Sequence, residues 1–188
     1  LHVVIDQEAK QNLENHKANM RKVARAYVEL EAPTNGHFVA PAVYLLDNLN
    51  QLQREVFGPI LHIVRYKKEN LVNVLNEVNA KGYALTGGCH SRIRKQMDLV
   101  EKHLHCGNFY INRNIVGAVV GVQPFGGHGL SGTGPKAGGE FYLQRLTKTD
   151  RYYSQFGDEN TLGNAQPVLD SITGERNSLA YLPSEVAI

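Results

Sequence analysis

Two successive rounds of strand-like and helix-like sequence, between residues 60 and 111, constrain the fold of this chain more than any other feature. Residues 60–66 are nearly continuously apolar and rich in β-branched side chains, which is typical of a strand that is buried on both faces. Apolar residues at helical spacing then predict a helix over residues 69–80. Residues 83–89 predict a second strand, a helix capped by Ser91 follows, and residues 109–111 begin a third strand. This order predicts an α/β fold with a parallel sheet and flanking helices.

The first part of the chain predicts one helix and one irregular strand. Apolar residues at helical spacing run over residues 6–27, and Asp6 can cap the start of that helix. A turn signal follows, and residues 38–46 then form an apolar run that Pro41 interrupts. Because proline cannot donate a hydrogen bond to a neighbouring strand, this run predicts an edge strand or a broken strand.

A stretch dense in glycine, residues 117–139, follows the third strand. Residues 127–132 match the dinucleotide-binding pattern G-x-G-x-x-G, but Pro135, Gly138 and Gly139 would spoil the helix that this pattern requires. Pro135 also stands where the lysine of a nucleoside-triphosphate loop belongs. Two interpretations stay open for this segment: a surface turn, or a loop whose backbone N–H groups hold a carboxylate or a phosphate.

Composition and charge argue against several classes of protein. Hydrophobic residues make up 42% of the 188 residues, and Lys plus Arg (20) nearly balance Asp plus Glu (18), as in an ordinary globular domain. Basic residues are scattered, so nucleic-acid binding is unsupported, and no apolar run is long enough to predict a transmembrane segment. Cys89 and Cys106 have neither metal-ligand nor disulfide spacing, which predicts structural thiols, no metal site and a reducing, cytoplasmic setting. The lack of an initiator methionine suggests part of a longer chain.

Glu55 lies just before the first predicted buried strand, close to Phe57. An isolated glutamate in this place is ordinarily a solvated charge. A functional glutamate could accept hydrogen bonds from sugar hydroxyls, while Phe57 offers an apolar face to a flat ring. The residues alone leave both interpretations open.

Two motifs, in their order along the chain, resemble the aldehyde dehydrogenase superfamily. The first is EVFGP at residues 55–59, and the second is QPFGG at residues 123–127, followed by SG at residues 131–132. Residues 117–139 as a whole, and TGERN at residues 173–177, resemble more closely the L-glutamate γ-semialdehyde (pyrroline-5-carboxylate) dehydrogenase unit of bifunctional proline utilization proteins. The resemblance covers nearly the whole chain.

The resemblance implies that NAD is the cofactor and that two residues of the first motif bind it. In this superfamily the glutamate hydrogen-bonds the nicotinamide ribose and the phenylalanine contacts the nicotinamide side, so Glu55 and Phe57 are the expected counterparts. FAD is expected only in a separate proline dehydrogenase unit and not in this chain.

The resemblance also implies a substrate site in the glycine-rich stretch. The phenylalanine of the second motif lines the aldehyde tunnel, which makes Phe125 its counterpart. The loop beyond it anchors the α-carboxylate of a semialdehyde, with Gly138 and Gly139 as the expected N–H donors and Ser131 as a further candidate. The implied reaction is the NAD-dependent oxidation of L-glutamate γ-semialdehyde to L-glutamate in proline catabolism.

The catalytic cysteine, the general-base glutamate, the oxyanion asparagine and the dinucleotide-binding domain are all expected N-terminal to this chain. Neither Cys89 nor Cys106 lies in the family's cysteine motif, so no catalytic residue is assigned here and the chain alone is expected to be inactive. Residues 1–130 are expected to form part of the catalytic domain, residues 131–150 an anchor loop and an oligomerisation strand, and residues 151–188 a tail packed on a neighbour or on another domain. The expected partners are the aldehyde, the rest of the parent polypeptide and further copies of it.

Two alternatives stay open at this stage. One is a structural or assembly module without its own activity, since family members oligomerise by strand addition between subunits. The other is an aldehyde dehydrogenase of different specificity.

Overall fold

The computed structural model describes residues 2–132, 134–146, 168–169 and 175–179. The chain divides into two compact units, residues 1–81 and residues 82–188. Both units contain helices and β-strands, which confirms the predicted α/β class. None of the described helices combines the length and the apolar character that a membrane crossing requires.

The first unit begins with strand β1, His2–Val3, and helix α1, Gln7–Val23. Asp6 starts the helix as predicted, since its carboxylate accepts a hydrogen bond from the N–H of Ala9 (2.8 Å). The predicted end of the helix at residue 27 is wrong. Residues Ala26–Glu29 instead form strand β2, whose aromatic and β-branched side chains suit a sheet. This strand pairs with residues 42–45.

A three-stranded sheet with the order β2-β4-β5 forms the body of this unit. Its central strand β4, Ala42–Leu46, runs antiparallel to β2 and parallel to β5, Ile60–Val64. Strand β3, Phe38–Val39, pairs with β1 in a separate antiparallel ladder. The apolar run is therefore broken at Pro41, as predicted, whereas the alternative of an edge strand is wrong for β4.

Helix α2, Leu71–Asn79, follows β5 after a 3-10 turn at Lys68–Asn70. A second 3-10 turn, Leu49–Gln51, lies between β4 and β5. The position of α2 agrees with the helix predicted over residues 69–80, because its apolar spacing is regular and local.

One face of the sheet packs against α1. Tyr44 of β4 is fully buried on this face, in a cluster that includes Met20 of α1. On the other face, Leu61 and Ile63 of β5 are 56% and 39% exposed. The prediction that this strand is buried on both faces is therefore wrong, because successive side chains alternate and the described residues cover one face better than the other.

Glu29 lies at the end of β2 against α1, with a side chain only 14% exposed. Its carboxylate accepts hydrogen bonds from Arg21 Nε (2.8 Å), from Arg21 Nη2 (2.6 Å) and from the Tyr44 hydroxyl, and Lys17 Nζ lies 3.5 Å from Oε2. The hydrogen bonds from Arg21, supported by Tyr44 and Lys17, outweigh the effect of burial and lower the pKa of Glu29 to about 2. This ionised carboxylate ties α1 to two strands of the sheet.

We predict that Glu29→Gln lowers the free energy of unfolding by about 1–3 kcal/mol at neutral pH, because Lys17 and Tyr44 lose a charged acceptor. The lowered pKa sets the sign of the pH dependence. The contribution of the carboxylate is complete above its ordinary pKa of 4.5 and is lost as the pH falls through its folded value of about 2. Urea unfolding of both proteins at a series of pH values measures the difference.

The control for this prediction is Asp98→Asn, which removes a carboxylate from the exposed pair between Arg94 and Asp98. We expect it to change the free energy of unfolding by less than about 0.5 kcal/mol. An equal loss of unfolding free energy in the two variants at neutral pH would show that the buried Glu29 stabilises the fold no more than an exposed carboxylate does.

The second unit contains a strand–helix–strand crossover built from β7, Thr86–Cys89, α3, Arg94–His103, and β8, Asn108–Ile111. Strands β7 and β8 are parallel along their whole length, which confirms the pattern predicted from the sequence. The short strand β6, Tyr83–Ala84, precedes them and pairs antiparallel with β9, His128–Gly129. The strand predicted over residues 83–89 is therefore split between two partners.

Other predictions for this unit need correction or fall outside the described residues. Ser91 does not cap α3; its Oγ accepts a hydrogen bond from the N–H of Ile93 (3.1 Å), the residue directly before the helix. Of the predicted anchor loop and oligomerisation strand at residues 131–150, the structure describes 131–132 and 134–146, ending in a 3-10 turn at Leu143–Leu146. Most of the predicted tail at residues 151–188 lies outside the described residues. Its described part contains β10, Val168–Leu169, paired antiparallel with β11, Asn177–Ser178.

Candidate functional site

A long loop leaves the end of β8 and returns towards the start of the same strand, and this loop contains the glycine-rich stretch. The Tyr110 hydroxyl donates a hydrogen bond to the Gly117 carbonyl (2.8 Å) near the beginning of the stretch. A turn follows in which the N–H of Gln123 donates to the Val119 carbonyl (3.0 Å) and the N–H of Val119 donates to Gln123 Oε1 (3.1 Å). The loop is thus ordered by its own polar groups and not by regular structure.

Asn108, the first residue of β8, holds both arms of the loop. Its Nδ2 donates to the Pro124 carbonyl (3.0 Å), and its Oδ1 accepts from the Gly126 N–H (3.4 Å) and from Lys136 Nζ (3.0 Å). Lys136 Nζ also donates to the Gly107 carbonyl. Asn108 is 9% exposed, so these contacts are shielded from water. Neither Asn108 nor Lys136 was predicted from the sequence to support the loop.

Phe125 and Ala137 pair across the loop as an isolated antiparallel bridge, with N–H to carbonyl distances of 2.9 Å in both directions. The bridge places Phe125 opposite the residue that precedes Gly138. Gly138 has a φ of 73°, in the left-handed region that favours glycine, and it is exposed. The N–H of Gly139 donates to the Lys136 carbonyl (3.0 Å). The structure thus brings Phe125, Gly138 and Gly139 together.

Ser131 lies on the part of the loop that follows β9. Its Oγ accepts a hydrogen bond from the Ala84 N–H (3.0 Å), and its own N–H donates to the His128 carbonyl (3.1 Å). The hydroxyl therefore ties the loop to β6, and its hydrogen remains able to donate to an acceptor.

Glu55 and Phe57 belong to the first unit and lie between β4 and β5. Both side chains are exposed, and Phe57 is 79% exposed. The segment is fixed by its neighbours, since the Pro59 carbonyl accepts a hydrogen bond from the Ala42 N–H (3.0 Å). A Cβ on Gly58 would collide with the Leu13 side chain. The arrangement presents an aromatic ring and a carboxylate to solvent on a well-supported backbone.

Several glycines, in the loop and just before β8, are required by close packing of backbone against backbone. A Cβ on Gly107 would overlap the Gly126 carbonyl oxygen, and a Cβ on Gly127 would lie 2.7 Å from the Ala84 carbonyl oxygen. A Cβ on Gly117, by contrast, would meet nothing within 4 Å. The density of glycine thus has a steric cause at the contact between the loop and the start of β8.

The two cysteines are free and half-buried. Burial raises the pKa of the Cys106 thiol to about 11, although Lys136 and a backbone hydrogen bond oppose this shift. Burial likewise lowers the pKa of Lys136, with Cys106 opposing. Cys106 is therefore a protonated thiol at neutral pH and a poor nucleophile. No group of three or more His, Cys, Asp or Glu side chains suited to a metal ion occurs in the part of the chain that the structure describes.

Two residues of the tail contact the loop within the second unit. Arg113 Nη1 lies 2.9 Å from Glu175 Oε1 and donates to Oε2 (3.0 Å), and Gln123 Nε2 donates to Asn177 Oδ1 (2.8 Å). From the sequence, residues 173–177 stood out only by resemblance, and the tail was expected to pack on a neighbour or another domain. No local pattern in the sequence indicates contacts over such a separation.

We predict that Gly107→Ala lowers the free energy of unfolding by about 1–3 kcal/mol, because the added methyl group forces the loop away from β8. Gly117→Ala is the matched control and should change the stability by less than about 0.5 kcal/mol. Urea unfolding compares the two variants, and hydrogen exchange over residues 124–127 locates the effect. Similar stabilities for the two variants would refute the close approach.

Comparisons with known proteins agree with these observations. The model of the aldehyde dehydrogenase family matches residues 3–151. The bifunctional protein PutA of Rhizobium meliloti is 51% identical over 149 residues, which cover 78% of this chain and 12% of that protein. The PutA protein of Escherichia coli strain K12 is 51% identical over 151 residues, covering 76% of this chain and 11% of that protein. The chain thus spans only about an eighth or less of the length of these two relatives.

Solved structures give the same picture. A crystal structure of a mutant of proline utilization A from Bradyrhizobium japonicum has a TM-score of 0.74 and 54% sequence identity, and covers 78% of this chain and 15% of that one. A structure of 1-pyrroline-5-carboxylate dehydrogenase from Thermus with bound NAD has a TM-score of 0.68 and 34% identity, and covers 76% of this chain and 28% of that one.

Proposed function

Because the chain belongs to the aldehyde dehydrogenase family, we propose that it supplies the substrate-anchoring loop and one edge of the cofactor site of an NAD-dependent dehydrogenase. The substrate is L-glutamate γ-semialdehyde, the product is L-glutamate, and the setting is proline catabolism in the cytoplasm. The observation that supports this proposal most directly is the bridge between Phe125 and Ala137, which brings Phe125 close to the backbone that leads into Gly138. The similarity to PutA and to 1-pyrroline-5-carboxylate dehydrogenases supports the choice of substrate.

The loop can bind a short aldehyde that carries an acid group at its other end. The half-buried ring of Phe125 offers an apolar wall to the carbon chain, and the N–H groups of Gly138 and Gly139 and the hydroxyl of Ser131 can donate to the carboxylate. The N–H of Gly139 donates to the Lys136 carbonyl in this structure, so a carboxylate must share or replace that bond.

The charge of Lys136 favours an acid at this place. Its ammonium group is half-buried and donates hydrogen bonds to two neutral oxygens, the Gly107 carbonyl and Asn108 Oδ1. A cation that is paired with neutral partners in a partly desolvated position attracts an anionic ligand more strongly than a fully hydrated one. A carboxylate-bearing aldehyde therefore suits the loop better than an uncharged aldehyde does.

Glu55 and Phe57 are suited to one edge of NAD. The exposed carboxylate can accept hydrogen bonds from ribose hydroxyls, and the exposed ring can cover one side of the nicotinamide. NAD supplies the hydride acceptor of the reaction. The chain's own residues orient the cofactor edge and the substrate.

The nucleophile of the proposed reaction comes from outside this chain. Burial keeps Cys106 protonated, and Cys89 lies at the end of β7 without the family's cysteine motif. We therefore assign no catalytic residue here and expect no turnover by the 188-residue chain alone. The proposed partners are the rest of the parent polypeptide and further copies of it, and FAD belongs to a separate proline dehydrogenase unit.

The proposed division of the chain follows from these roles. Residues 1–130 form a portion of the catalytic domain, residues 131–150 the anchor loop and an oligomerisation strand, and residues 151–188 a C-terminal tail.

We predict that, in the full-length protein that carries this chain, Gly138→Pro lowers kcat/KM for L-glutamate γ-semialdehyde by about tenfold or more, since it removes one N–H donor worth ~1.5 kcal/mol to a charged acceptor. For propanal, which has no carboxylate, the change should stay below about threefold. NADH formation followed by absorbance measures both. Gly138→Ala keeps the N–H and controls for the loss of glycine at this position; because proline cannot adopt the φ of 73°, the propanal rate reports the remaining effect of the distorted backbone. Equal losses for the two aldehydes would argue for an aldehyde dehydrogenase of another specificity.

We also predict that Glu55→Gln raises the KM for NAD by about tenfold in the full-length protein, because the ribose hydroxyls lose a charged acceptor. The KM for the semialdehyde should change little. Glu77→Gln, at an exposed position on α2, is the control and should leave both values unchanged. A KM for NAD that is the same in Glu55→Gln and Glu77→Gln would restore the interpretation of Glu55 as a solvated charge.

A further inference from the structure

We propose that Glu175 and Asn177, which lie beyond the part of the chain matched by the family model, are positioning residues for the substrate loop. We name residues 175–179 the tail clasp. The inference rests on the proposed function and deepens it, because it gives the tail a part in setting the affinity for the aldehyde. It concerns contacts within the second unit only.

The side-chain amide of Gln123, a buried residue that is 9% exposed, connects the loop to the tail clasp. Its Oε1 accepts from the Val119 N–H, which closes the turn inside the loop. Its Nε2 donates to Asn177 Oδ1 (2.8 Å) and lies 3.5 Å from Glu175 Oε2. A buried amide needs partners for its N–H groups, and the tail clasp provides them.

An ion pair between Glu175 and Arg113 forms a second contact between the tail clasp and the loop. Both side chains are partly buried, 28% and 25% exposed, so water screens the pair less than a fully exposed pair. The Arg113 guanidinium also lies over the Tyr110 ring, 4.8 Å from its centroid. Because the Tyr110 hydroxyl holds the Gly117 carbonyl, Glu175 supports the beginning of the loop through Arg113 and Tyr110.

The backbone links Gln123 to the residues proposed to contact the substrate. Gln123 directly precedes Pro124 and Phe125, and Phe125 is bridged to Ala137, the neighbour of Gly138. A shift of Gln123 therefore moves the ring that faces the aldehyde and, through the bridge, the amides that face the carboxylate. Because Asn108 still holds Pro124 and Gly126 when the clasp is released, the expected change at Phe125 is a small displacement and not unfolding of the loop.

The clasp itself has a supporting strand. Asn177 lies in β11, which pairs antiparallel with β10 opposite Leu169. The backbone of Asn177, whose side chain binds Gln123, is thus held in place by its pairing with β10. Arg176 lies between the two contact residues and is exposed, which makes it a control within the same segment.

The experiment compares Glu175→Gln, Asn177→Ala and the double variant with Arg176→Ala in the full-length protein that carries this chain. Hydrogen exchange of residues 119–126 and steady-state kinetics with L-glutamate γ-semialdehyde and with propanal are measured. We expect the double variant to exchange about fivefold faster over residues 119–126, and Arg176→Ala to match the wild type. We expect its KM for the semialdehyde to rise about three- to tenfold, more than for propanal, with kcat changed less than about twofold.

Each result decides for or against the inference. Unchanged exchange in the double variant overturns it, because the clasp then does not order the loop. Faster exchange with an unchanged KM for the semialdehyde also overturns it, because the contacts then support the fold and not the substrate. If the wild-type protein does not oxidise the semialdehyde, the proposed function fails, and the exchange data still decide whether the clasp orders the loop.

Discussion

The amide of Asn108 is the contact on which the rest of the glycine-rich loop depends. Asn108 begins β8 and is fixed by parallel pairing with Thr86 of β7. An amide side chain carries a donor and an acceptor on one rigid plane, so it can hold a carbonyl of one arm of the loop and an ammonium of the other. Here those groups are the Pro124 carbonyl and Lys136 Nζ. A carboxylate in its place would lose the donor to Pro124, and an apolar residue would leave buried polar groups without partners.

The glycines of the loop serve two physical purposes that a motif search does not separate. Gly107 and Gly127 are needed because another backbone passes where a Cβ would stand. Gly138 has open space around it but a left-handed backbone. At residues 127–132, where the pattern G-x-G-x-x-G occurs, a Cβ on Gly127 would meet the Ala84 carbonyl oxygen of β6 and a Cβ on Gly129 would meet the Gly82 carbonyl oxygen just before β6, so close packing accounts for these glycines. This explains why the pattern occurs here without a helix after it.

The sequence predicted what local periodicity determines and missed what distant partners determine. The crossover from β7 through α3 to β8 was predictable because the apolar spacing of each element is regular. The end of α1 was not, since no glycine or proline lies between Val23 and Pro33 and β2 forms only because β4 offers it a partner. Likewise, nothing in the sequence marks the ionised Glu29 beneath α1 as different from an exposed glutamate.

The candidate site was predictable only to the level of its motifs. Resemblance nominated Phe125, Ser131 and the two glycines as candidates, and the structure adds the bridge from Phe125 to Ala137, the residue before Gly138. Asn108 could not be found from the sequence, because a polar residue at the start of a strand is common. Its importance comes from two loop arms that are adjacent only in the fold.

A loop that binds its ligand through backbone N–H groups has a particular dependence on its surroundings. Substituting a side chain at the ligand does not remove such donors, so the identity of the residue that touches the ligand matters less than the position of its backbone. A displacement of a donor by a few tenths of an ångström weakens each hydrogen bond, and several donors on one loop move together. In the proposed site, the affinity for an acid therefore depends on residues that hold the loop in place, such as Asn108 at its base and Gln123 before Phe125. For this reason a polar contact from the distant tail can act on substrate binding without touching the substrate.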